Sequence, residues 1–274
     1  MNAYEYILSK QIQWAHNHNI HLIGSKGNRG RLAYTKTLED NLFEPLSEKG
    51  ITEFQAGDGN EINGSPNDLP KMNAVHSSSA LSVNIFQYWQ KFNKVNTIAW
   101  KCGLCNKNNT NPYEILFEQK YIINKAFNFH PNIDVIIKNK TESQYNVYAI
   151  ECKFSEAYSS QGHSGLKEKY LHINEIWKDI PSIYNLAKSI CPNDNLFSYL
   201  HPAQLIKHIL GLKNKYGKNR FRLLYLWYDA LGSEGFNHRI EIEKFKEITK
   251  KDNIKFHHIS YQELILNLSK ELRD

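Results

Sequence analysis

The 274-residue sequence contains no run of about eighteen apolar residues, so no membrane-spanning helix is expected. Its first residues, Met1-Asn2-Ala3-Tyr4-Glu5-Tyr6-Ile7, lack the basic start and apolar centre of a secretion signal, and a cytoplasmic location is the expectation. Cysteine is scarce: four residues in a chain of this length do not make a disulfide framework. Cys102-Gly103-Leu104-Cys105 has CxxC spacing but no second CxxC to complete a zinc site, which would need Cys191 and His257 or His258 folded across the chain. No internal repeat and no low-complexity tract is present. Acid is not in excess either. Lys and Arg total 34 against 28 Asp and Glu, a net charge of +6 that is compatible with a polyanionic partner.

What is there reads as an α/β chain. Tyr4, Ile7, Leu8, Ile12, Trp14 and Ala15 form an apolar stripe at helical spacing. A Gly-punctuated basic loop follows at 24–31, then a helical stretch at 35–49 and a turn-rich loop at 56–70. Helix is predicted again over 76–92, and a polar stretch at 101–111 leads to a first strand at 115–123. Two more strands are expected at 132–137 and 148–154. A mostly helical segment at 165–212 is interrupted by Pro181, Pro192 and Pro202. Residues 221–228 are nearly all apolar, the mark of a strand buried on both faces. Helices at 241–251 and 261–273 flank a short strand at 254–259. This order predicts a central mixed β-sheet flanked by helices. The expected organisation is a helical and loop extension over 1–70 packed on a domain over 71–274.

The strands at 132–137 and 148–154 carry the chemistry. Alternation puts Glu151 and Lys153 on one face and Ile150, Cys152 and Phe154 on the other, so the first pair is expected on a wet face and the second in the core. If the strands pair as a hairpin, Asp134 lies beside Glu151. Two carboxylates that close repel unless a cation lies between them.

Asp134 followed seventeen positions on by Glu151-Cys152-Lys153 resembles the motif of the PD-(D/E)XK nuclease superfamily, with Ile133 where the motif has Pro. The Ser-rich stretch from Lys71 to Asn84 resembles the helical entry of one bacterial branch. Leu200-His201-Pro202-Ala203-Gln204-Leu205-Ile206-Lys207-His208 and the strand at 221–228 resemble its later helix and closing strand, so the likeness covers roughly 71–230. The resemblance implies a restriction-endonuclease-like core and hydrolysis of DNA phosphodiester bonds, in a restriction or defence role. That chemistry calls for Mg²⁺, with Mn²⁺ as substitute, held by Asp134 and Glu151. The main-chain carbonyl of Cys152 is the third protein ligand by resemblance, and Lys153 orients or helps deprotonate the attacking water. Glu118, an uncomfortable charge in mid-strand, is the best match for an additional acid that relatives bring to the site, with Glu114 as the alternative. Relatives also place a Gln from the later helix near the site, which here is Gln204. Glu156 either supports Lys153 or caps the turn after it.

Lys26, Arg29 and Arg31 in the basic loop are expected to grip a phosphate backbone. The expected partner is DNA, and cleavage of both strands by one site per chain calls for a homodimer. Two other readings use the same sequence: a DNA-binding or structural module that kept the fold without catalysis, and a zinc-dependent interaction protein organised on Cys102 and Cys105.

Overall fold

The computed structural model describes residues 1–24, 32–57, 59–65, 68–160 and 162–271. Lys26, Arg29 and Arg31 lie outside the described residues. The N-terminal part contains α1 (Ala3–Asn17), β1 (Leu22–Ile23), β2 (Tyr34–Thr35) and α2 (Glu48–Ala56). Then follow α3 (Ser78–Lys91), α4 (Val95–Lys101), β3 (Pro112–Lys120), β4 (Asn132–Asn139) and β5 (Val147–Lys153). The chain closes with α5 (Pro181–Ser189), α6 (Pro202–Tyr216), β6 (Phe221–Trp227), α7 (Ser233–Lys251), β7 (Phe256–Ser260) and α8 (Tyr261–Glu271).

The five longer strands form one mixed sheet in the order β3-β4-β5-β6-β7. β3, β4 and β5 are antiparallel neighbours, whereas β5, β6 and β7 run parallel. β6 therefore has a strand on each side and helices on each face, which explains its unbroken Phe-x-Leu-Leu-Tyr-Leu-Trp run. On one face Ala149, Leu223 and Ile136 pack under α5, α6 and α7 through Ile183, Ile206, Ile209 and Phe245. On the other face Val135, Ile137, Tyr148 and Ile150 pack against α3, α4 and α8 through Val83, Phe86, Ile98 and Leu264. α1 sits at one end of this sandwich, where Ala3 and Ile7 meet Phe154, Tyr158 and Ala230. α2 lies along β3, with Phe54 stacked on Phe117 at 5.6 Å.

The helical stretch expected at 35–49 is instead β2, a single 3₁₀ turn at Glu39–Asn41 and an extended link to α2. Ser47 starts α2 by accepting the N–H of Gly50, two residues beyond Pro45. Pro181 and Pro202 do not interrupt helix. Each opens one, because a residue in the first turn has no partner for its N–H in any case.

Candidate active site

The strand register sets three acids in a row. Val135 pairs with Ile150 as the last ladder position between β4 and β5, so Asp134 and Glu151 are the next opposed pair outward. Phe117 pairs with Val135 and Gln119 with Ile133, which puts Glu118 opposite Asp134 on the other side. Directly opposed residues point to the same face. Glu118, Asp134 and Glu151 thus cross three adjacent strands at one end of the sheet. Glu118 has a φ of 50°, a left-handed conformation costly for any residue with a Cβ and uncommon in mid-strand.

Each acid is held differently. Oε2 of Glu118 accepts a hydrogen bond from Nδ2 of Asn132 at 2.9 Å. Oδ2 of Asp134 accepts the backbone N–H of Cys152 at 2.7 Å, a bond that continues the β4–β5 ladder through a side chain. The N–H and C=O of one residue face the same antiparallel neighbour, so the carbonyl of Cys152 also faces β4 beyond the ladder's end. Oε2 of Glu151 accepts from Nε2 of His208 on α6 at 2.7 Å, with both side chains fully buried. Nζ of Lys153 lies 2.8 Å from the other oxygen, Oε1, at an angle that leaves Oε1 without a hydrogen bond.

The expected wet face does not exist. Glu151 is fully buried and Lys153 keeps 15 % of its side chain exposed, because α6 covers the strand face that alternation assigns to water. Burial alone would make Glu151 protonate readily, yet Lys153 and His208 outweigh it and hold the carboxyl down at about 2. Burial and the charges of Glu151 and Glu118 push Asp134 well above the usual carboxylate range. Burial also pushes Glu118 up to about 7 against its bond from Asn132, with Glu61 and Glu151 adding to the rise. The carboxylates of Glu151, Glu156 and Asp134 raise Lys153 in spite of its burial, which keeps it a cation.

Glu118, Asp134 and Lys153 line a cleft of about 970 Å³, while Glu151 and His208 lie fully buried behind it. Its lining includes Glu118, Asp134 and Lys153 from the sheet, Gln204 and Lys207 from α6, and Tyr4, Tyr34, Glu61 and Lys71 from the N-terminal part. Gln204 lines the cleft from the first turn of α6. Glu114 does not: it is ion-paired with Lys49 and, at 2.9 Å, with Lys138. Glu156 accepts the N–H of Phe154 at 3.2 Å, capping the turn, and its charge also acts on Lys153. Lys71 pairs with Glu61 at 3.3 Å.

His208, Lys207 and Glu61 join the site without having been singled out from sequence. Gln204 and His208 stand one turn apart, but His208 lies within Leu205, Ile206, Ile209 and Leu210. A polar ring in such a run is the signal that it has a buried partner. Among the described residues no group of three His, Cys, Asp or Glu converges tightly enough to form a complete metal cage. Burial raises the thiol of Cys102 well above its ordinary value and pushes Cys105 up to about 11, against the pull of Arg222. No helix among the described residues is long and apolar enough to cross a membrane.

No curated protein and no solved structure matches the chain. A family model described as Restriction Endonuclease associating with ARP matches residues 8–273, from the middle of α1 past the end of α8. The match takes in every strand of the sheet and every group of the cleft just described, apart from Tyr4. The chain belongs to this restriction endonuclease family.

Proposed function

We propose that the chain is a Mg²⁺-dependent endonuclease of the PD-(D/E)XK type, hydrolysing DNA phosphodiester bonds in a restriction or defence role. The observation that carries the reading is the row Glu118–Asp134–Glu151 with Lys153 two positions along the same strand. The donor set suits a hard cation. It is all oxygen, and two of its carboxyls, Asp134 and Glu118, are pushed upward by burial and by neighbouring carboxylates. Mg²⁺ keeps several waters and takes one or two carboxylates plus substrate oxygens, so it does not require three converging side chains.

Asp134, Glu151 and the carbonyl of Cys152 would hold the ion, with Glu118 as a further carboxylate beside it. Bound there, Mg²⁺ supplies charge neutralisation on the phosphate and lowers the pKa of a water ligand. Lys153, kept cationic by three carboxylates, donates to the attacking water or to a phosphate oxygen as negative charge develops. His208 fixes the rotamer of Glu151, so that this carboxylate is not free to turn away. Gln204 and Lys207 face the same cleft and present a donor and a cation to the substrate backbone. Because the family is described as associating with ARP, we extend that association to this chain.

Incubation with circular and with linear duplex DNA tests the activity. Cleavage of both in Mg²⁺, and of neither in EDTA, is the expected result. Degradation of linear DNA alone would make the enzyme an exonuclease, and cleavage of neither in Mg²⁺ or Mn²⁺ would leave a fold without the reaction.

A further inference from the structure

The loop between β3 and β4, residues 121–131, is anchored as firmly as an element of the core. Tyr121, Ile123 and Phe127 are buried, and the Phe127 ring packs on Tyr170 at 4.5 Å. The N–H of Ile123 donates to Nδ1 of His130 at 3.3 Å, and Nδ2 of Asn214 donates to the carbonyl of Ile122 at 2.8 Å. Gly211 of α6 lets the helix abut the loop, since a Cβ there would lie 2.8 Å from the carbonyl oxygen of Tyr121. Nevertheless this ordered loop leaves Phe129 72 % exposed and Ile122 54 % exposed.

The chain around these two residues carries positive charge and no acid. Residues 119–133 contain Lys120, Lys125 and His130 and no Asp or Glu. Burial, then Lys120 and Lys169, hold the imidazole of His130 below its ordinary value. The loop is also a shared wall. His130, Pro131 and Asn132 line the cleft that contains Asp134. Lys120, Ile122 and Lys125 line a second depression, of about 670 Å³, together with Lys138 and Lys215. Lys138 is engaged by Glu114, whereas Lys125 and Lys215 have no ion-pair partner among the described residues.

We propose that this loop is a DNA-contacting element: Phe129 and Ile122 pack into a groove of the duplex while Lys120, Lys125 and Lys215 neutralise its phosphates, as the duplex runs from the Asp134 cleft into the second depression. The proposal rests on the nuclease reading of that cleft. Exposed apolar side chains on an anchored, acid-free loop that carries lysines match what a duplex offers, a groove floor of stacked bases between two lines of negative charge. An anchored loop also presents them at little ordering cost on binding.

Fluorescence anisotropy of a labelled duplex oligonucleotide, in EDTA and over a range of salt concentrations, separates the two contributions. The triple variant Lys120→Ala, Lys125→Ala, Lys215→Ala is expected to lower the log–log salt slope by about 2–3 units. Phe129→Ala is expected to weaken binding about tenfold with the slope unchanged. All four side chains are on the surface, so thermal midpoints of the free proteins stay within about 2 °C of wild type. Wild-type protein that cuts DNA, combined with variants that bind it with wild-type affinity and slope, overturns the loop assignment alone and leaves its apolar tip to a protein partner. Wild-type protein that neither binds nor cuts DNA overturns the nuclease reading and the loop together.

Discussion

Nε2 of His208 donates to Oε2 of Glu151 across 2.7 Å in a place that water does not reach. The contact joins α6 to the sheet and fixes a buried carboxylate, expensive in isolation, whose other oxygen is ion-paired with Lys153. His208→Ala leaves that oxygen without its donor. The expected loss of stability is about 1–3 kcal/mol, and the affinity for Mg²⁺ should fall about 10–100-fold. A titration of Mg²⁺ against the thermal midpoint reads both quantities. His208→Gln, which keeps a donor, should recover part of the ion affinity. A midpoint loss with ion affinity unchanged would make His208 a packing residue and nothing more.

Asp134 stands under opposite pressures. Burial and its neighbouring carboxylates disfavour its charge, while the proposed chemistry needs that charge. Asp134→Asn keeps an oxygen for the N–H of Cys152 and removes the repulsion. The variant is therefore expected to melt higher than wild type in EDTA and to lose the midpoint increase that Mg²⁺ gives the wild-type protein. Scanning calorimetry with and without the ion decides this. A lower midpoint in EDTA would mean that Asp134 is a structural acid.

Acid should destabilise the protein through its buried histidines. His238 lies between the hydroxyls of Tyr225 at 3.0 Å and Tyr158 at 3.1 Å, and burial holds its pKa down at about 3. In the unfolded chain the same ring titrates near 6.5. Between these values the unfolded state binds the extra proton, so stability is complete above about pH 6.5 and is lost as the pH falls towards 3. His201, which burial and then His163 and Lys153 hold at about 3, acts in the same direction. The midpoint of the wild-type protein should thus decline from pH 6.5 to pH 4, and His238→Gln should show a shallower decline. Parallel profiles would contradict the assignment.

How much of this was legible from sequence depended on where each signal came from. The strands at 132–139, 147–153 and 221–227 announce themselves because a strand interior to a sheet concentrates Val, Ile, Leu and aromatics. Asp134 and Glu151 interrupt those runs, and their meeting follows from pairing the strands as a hairpin. Alternation, however, cannot tell a wet face from one covered by a helix 57 positions away, so Glu151 reads as exposed until α6 is in place. α4 is too short, at seven residues, for a 3.6 period to stand out beside the Asn-rich segment after it. The polar start of α7 hides its first eight residues, although Gly235 is required there because a Cβ would strike the carbonyl of Ala230. Glu61 and Lys71 come from turn-rich chain, where composition says loop and cannot say what the loop faces.

The central claim is that the carboxylate row holds an ion for phosphodiester cleavage with Lys153 beside it. Its most direct test is the rate of plasmid cleavage by wild-type, Asp134→Asn and Lys153→Ala proteins in Mg²⁺, in Ca²⁺ and in EDTA. Cleavage by the wild type in Mg²⁺, little in Ca²⁺, none in EDTA, and a loss of several orders of magnitude in both variants is the predicted result. Cleavage that survives EDTA, or either variant cutting at the wild-type rate, would contradict it.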